Sequence, residues 1–97
     1  MADFRFLHLG VNYESGLSIE RRNELEKVLS KAKDWLRYAP GCWLIYTSVS
    51  PLVWHTRLKQ EVPWILGDSY LIIVVNTKEK SGWLRQSAWD WINKPRA

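Results

Sequence analysis

The most constraining stretch of this chain is Tyr70–Val75, YLIIVV, an unbroken apolar run with β-branched residues at its centre, set between Gly67-Asp68 and Asn76-Thr77. The run is bounded by turn residues and lacks polar alternation, which reads as a strand buried on both faces. Cys42–Ser48, CWLIYTS, has the same property: Cys42, Leu44 and Tyr46 fall on one side, and Trp43, Ile45 and Thr47 on the other. A sheet containing both strands needs cover above and below. With 97 residues the chain is read as one domain, residues 1–97. A domain of this size buries roughly 65% of the surface its unfolded chain exposes. The seven tryptophans bury about 150–250 Å² each and should fill much of that small interior.

The remaining elements follow from periodicity and turn chemistry. Phe4–Val11 reads as a first strand ending near Gly10. After a loop at Asn12–Leu17, Ser18 is a good N-cap and Glu20 suits the first helical turn. Ile19, Leu25, Val28, Leu29 and Ala32 share a helical face, predicting a helix over Ile19–Lys33 whose opposite face, with Glu20, Glu24, Lys27 and Lys31, is solvated. Pro40-Gly41 predicts a tight turn joining a strand at Trp35–Tyr38 to one at Cys42–Ser48. Ser50-Pro51 is a cap followed by a first-turn proline, predicting a helix over Pro51–Glu61 that Pro63 ends. The strand at Tyr70–Asn76 and a short helix at Gln86–Asn93 complete the chain. This order predicts an α+β domain of the ferredoxin-like βαββαβ kind: an antiparallel sheet with helices on one face, and a C-terminal Trp-rich helix besides. Such a plan leaves the second apolar face for the terminal helix or for a second subunit to cover.

Fourteen basic against ten acidic residues give a net charge of +4, which favours acidic partners without resembling a nucleic-acid-binding tail. Cys42 is the only cysteine and fits a reducing compartment. The opening MADFRFLHLG lacks the basic and apolar regions of a signal peptide, and no apolar span reaches membrane length. The expectation is a soluble, cytoplasmic protein.

No residue set carries a catalytic signature. His8 and His55 lie on different elements with no ligand cluster around them, so no metal site is assigned. Cys42 borders an apolar strand and reads as an inert thiol. Ser15–Ser18 precedes a helix but lacks the glycine-rich phosphate-binding pattern. The best binding candidates are Lys78, Lys80, Trp83, Arg85 and Trp91, where basic and aromatic residues interleave. Against this, Trp83 and Trp89 are expected to anchor the terminal segment in the core, with Trp91 the most exposed.

The run WLIYTS, Pro51, Trp54 and RLK, then GDSYLIIVV, then GWLRQSAWDWI, resembles the small SinR-like proteins, relatives of the CRISPR-associated adaptation subunit and of the VapD endoribonucleases. The closing Gly82-Trp83-Leu84 with Trp89-Asp90-Trp91 carries most of the likeness. The resemblance implies a ferredoxin-like fold and a homodimer built on the sheets. It also implies a departure. The nuclease relatives end the first strand with a metal-binding aspartate, whereas this chain has His8-Leu9-Gly10-Val11, leaving Glu14 and Asp68 as the only candidate replacements. A hard divalent cation needs well-placed carboxylates. The expectation is therefore a non-catalytic, dimeric interaction protein without a cofactor, whose partner is protein, nucleic acid or a nucleotide. The alternative is a metal-dependent endoribonuclease.

Overall fold

The structure, a computed structural model, describes residues 3–12 and 18–96. The described residues form a mixed α+β domain with a four-stranded antiparallel sheet and three α-helices. The strands are β1 (Arg5–Asn12), β2 (Asp34–Ala39), β3 (Cys42–Thr47) and β4 (Ser69–Val75), and the helices are α1 (Ile19–Leu29), α2 (Pro51–Glu61) and α3 (Gln86–Asn93). The sheet order is β2-β3-β1-β4. Both α1 and α2 therefore connect strands that are separated by one other strand.

Local chemistry accounts for the boundaries. Ser18 Oγ accepts from Arg21 N and Ser50 Oγ from Val53 N, so each long helix starts at a hydroxyl cap. Helix α1 stops at Leu29, four residues before the predicted Lys33. Ser30 turns its hydroxyl back onto the Glu26 carbonyl, and Lys33 N already donates to the Tyr46 carbonyl, which draws the chain into the sheet. Gly41, at φ 75°, makes the Pro40-Gly41 turn, and its carbonyl accepts from Val11 N, tying the hairpin to β1. Pro63–Gly67 forms a 3-10 turn between α2 and β4.

The register β1–β3 and β1–β4 sorts the side chains. Leu7, Leu9, Val11, Trp43 and Ile45 face α1 and α2, and pack with Leu25, Val28, Leu29, Trp54, Leu58, Val62 and Ile65 into one buried core. Phe6, His8, Leu44, Tyr46, Leu71, Ile73 and Val75 face the other way. The C-terminal segment folds back over part of that second face. Trp91 sets its edge on Phe6, with ring centroids 5.8 Å apart. The Arg96 guanidinium lies 4.4 Å from the Trp91 ring centroid and 5.0 Å from that of Tyr46, and its Nη2 pairs with Asp34 Oδ2 at 3.1 Å. Cover ends before β4, an edge strand, where Leu71 is 62% and Ile73 43% exposed.

The Trp-rich tail departs from expectation. Trp83 is 98% exposed and anchors nothing, while Trp91 is half-buried against Phe6. Trp89, the other expected anchor, is only half-buried.

Candidate binding groove on the second sheet face

A groove of about 370 Å³ lies where the terminal segment leaves the sheet. Its floor is Tyr38 from β2, Leu44 from β3 and Val75 from β4, and Trp89 and Ile92 of α3 form one wall. The other wall is the irregular stretch after β4, including Lys80, Gly82 and Trp83. Asn76 Oδ1 accepts from Lys78 N, and Lys80 Nζ donates to the Thr77 carbonyl, so short local bonds shape this stretch. The Arg85 guanidinium pins its end, donating from Nη2 to the Arg37 carbonyl at 3.0 Å and from Nε to Ser87 Oγ at 3.0 Å.

Among the residues singled out from the sequence, Lys80 and Trp83 line this groove. Arg85 lines an adjoining basic cleft of about 290 Å³ together with Arg22, Arg37, Tyr38, Ala39 and Pro40. Tyr38 is common to both cavities. Lys78 is exposed and lies outside both linings, and Trp91 is turned away onto Phe6 and Arg96. Glu14 and the Ser15–Leu17 part of the candidate anion loop lie outside the described residues. Asp68 sits beside His55 and Tyr70 in another cleft, next to β4, with its Oδ2 buried and unbonded. Among the described residues, no group of three or more His, Cys, Asp or Glu side chains is arranged to hold a metal ion.

The groove floor also carries a polar cluster that sequence reading missed. The Tyr38 hydroxyl hydrogen-bonds His8 Nε2 across β3. Burial and the hydrogen bond and charge of neighbouring Cys42 push the Tyr38 hydroxyl up to about 12. Burial lowers the His8 imidazole below its ordinary value, so the pair is neutral at physiological pH. These residues come from three strands, and nothing local in the sequence marks their meeting. A second histidine–tyrosine pair, His55 Nδ1 with the Tyr70 hydroxyl, joins α2 to β4.

Chemically, the groove offers an exposed indole, an ammonium on the rim and an apolar floor. Those features suit stacking and charge neutralisation. No protein-family model, curated protein or solved structure matches this chain. No described helix is long and apolar enough to cross a membrane.

Proposed function

We propose that this protein is a non-catalytic, dimeric binding protein of the SinR-like type on a ferredoxin-like plan, and that its groove takes an unpaired nucleobase. The observation that carries the reading is Trp83: a fully presented indole, 98% exposed, on the lip of an apolar groove that also holds Lys80. A bare tryptophan in water has an unfavourable apolar surface, and a ligand with a π face would cover it. The sheet order β2-β3-β1-β4, with α1 and α2 each bridging alternate strands, supports the ferredoxin-like plan.

The dimer is supported by β4. It is an edge strand with Leu71, Ile73 and Val74 exposed at 62%, 43% and 49%, and a long apolar edge invites a second chain. Light scattering across micromolar concentrations should give twice 11.5 kDa; a monomer mass throughout would remove this part of the reading.

The groove is tested by titrating a short single-stranded RNA and following tryptophan fluorescence. We expect quenching in the wild type that Trp83→Ala abolishes. Absence of quenching in the wild type overturns the reading. Turnover of that RNA with Mg²⁺ or Mn²⁺ that survives repurification would replace it with the nuclease reading, which Glu14→Ala or Asp68→Asn should then inactivate.

A further inference from the structure

We propose that the cleft walled by Arg22, Arg37 and Arg85 is a phosphate-binding site. These arginines come from three separate places: α1, β2 and the residue before α3. Among the described residues, one carboxylate answers them. Glu26 pairs with Arg22 Nε at 3.8 Å and with Arg37 Nη1 at 3.5 Å, and its Oε2 also accepts from Trp43 Nε1 at 3.0 Å. Both of those arginine nitrogens are buried and lack a hydrogen bond, so Glu26 is shared too thinly to satisfy either. Among the described residues, Arg85 has no carboxylate within ion-pair distance and no acidic residue lines the cleft.

Three guanidinium charges held against one carboxylate repel one another, and an anion between them removes that repulsion. The site is also built in advance. Arg85 is fixed by its bonds to Ser87 Oγ and the Arg37 carbonyl, and Glu26 stands within ion-pair distance of Arg22 and Arg37. Fixing donors beforehand lowers the ordering cost of binding. Planar guanidinium forks match the oxygens of a phosphate better than an ammonium does. A volume of about 290 Å³ admits a phosphate group. Because Tyr38 lines this cleft and the groove alike, a phosphate bound here lies next to the aromatic floor. The phosphate could therefore belong to a nucleotide or be free inorganic phosphate. The arginine site itself does not depend on the groove reading.

The test is calorimetry with inorganic phosphate and with adenosine monophosphate, at fixed ionic strength, on wild type, Arg85→Gln, Arg22→Gln and Trp83→Ala. We expect phosphate to bind the wild type, and at least tenfold weaker binding in Arg85→Gln and in Arg22→Gln. Two arginine variants are used so that a folding defect in one leaves the other informative, with circular dichroism as the check. If the wild type shows no phosphate heat beyond that of matched chloride, or if both arginine variants fold and bind like wild type, the site is refuted. Tighter binding of the nucleotide than of phosphate, lost in Trp83→Ala, assigns the phosphate to a nucleotide. Equal affinities keep the phosphate site and count against the groove reading alone.

Discussion

The two faces of the sheet are covered in different ways. On the helix-covered face the interior is finished. Leu7, Leu9, Trp43, Ile45 and Trp54 are fully buried, and each indole nitrogen there has a partner: Trp35 with Ser30, Trp43 with Glu26, Trp54 with Thr47 and Trp64 with Glu24. On the other face, cover is a cap of aromatic rings around Arg96, the buried Trp91 Nε1 lacks a partner, and Leu71 and Ile73 face solvent. Both faces are apolar in sequence, yet only one carries the helices that turn apolar surface into core. Stability should therefore reside on the first face and binding on the second.

The sharpest way to break this contrast is to cut into the finished face. Trp54 is fully buried, with its Nε1 donating to Thr47 Oγ1 at 3.3 Å. Trp54→Ala opens a cavity between α2 and the sheet and should cost about 3–5 kcal/mol, a large share of the ~5–10 kcal/mol expected of a domain this size. Urea unfolding followed by circular dichroism should show the midpoint collapse. A wild-type midpoint would mean that the helix-covered face is not where stability lies.

On the second face, Arg96 is the centre of the cap. Its side chain is 10% exposed, it lies over Phe6, Tyr46 and Trp91, and it pairs with Asp34. Arg96→Ala should cost about 1–2 kcal/mol, chiefly through lost cation–π and packing contacts. It should also speed hydrogen exchange in α3 while leaving α1 and α2 protected. If α1 and α2 loosen equally, the two faces unfold as one unit and the contrast fails.

The sequence revealed more of the first face than of the second, for physical reasons. Caps, prolines and helical periodicity are local, so α2 fell where Ser50-Pro51 put it. The run Tyr70–Val75 was legible as a strand but not as an edge. An apolar run records what a strand can bury, whereas its place in the sheet is set by how α1 and α2 connect. Of the groove, Lys80 and Trp83 were readable because basic and aromatic residues alternate there. Tyr38 with His8, and Arg22 with Arg37 and Arg85, come together only through the β2-β3-β1 register and the docking of the tail, and no local pattern encodes that.

A smaller effect comes from the polar cluster. Because burial lowers the folded-state His8 value, the unfolded chain takes up a proton first as pH falls below about 6.5. Stability from neutral His8 is thus present above that pH and lost as pH falls toward the lowered value. Tyr38, raised to about 12, acts at the other end. Its contribution is present below about 10 and lost as pH rises through the folded value. Melting temperatures from pH 5 to 8 should fall less steeply on the acid side in His8→Gln than in wild type. Parallel profiles would mean the imidazole is already as hydrated as in the unfolded chain.

The smallest stability effect is expected at Trp83, and it separates the faces most cleanly. At 98% exposure the indole has almost no packing to lose, and substitutions at such surface positions usually change stability by about 0.5 kcal/mol or less. Gly82 beside it has nothing within 4 Å of where a side chain would begin, so the neighbouring chain can relax freely. Trp83→Ala should therefore melt with the wild type while the most red-shifted part of the tryptophan emission disappears, since that component comes from a solvated indole. A fall in melting temperature of several degrees would mean that Trp83 is covered in solution, by its own groove or by a second chain. The dimer arm of the comparison decides between these. A loss that grows on dilution points to the partner, and a loss independent of concentration points to the groove.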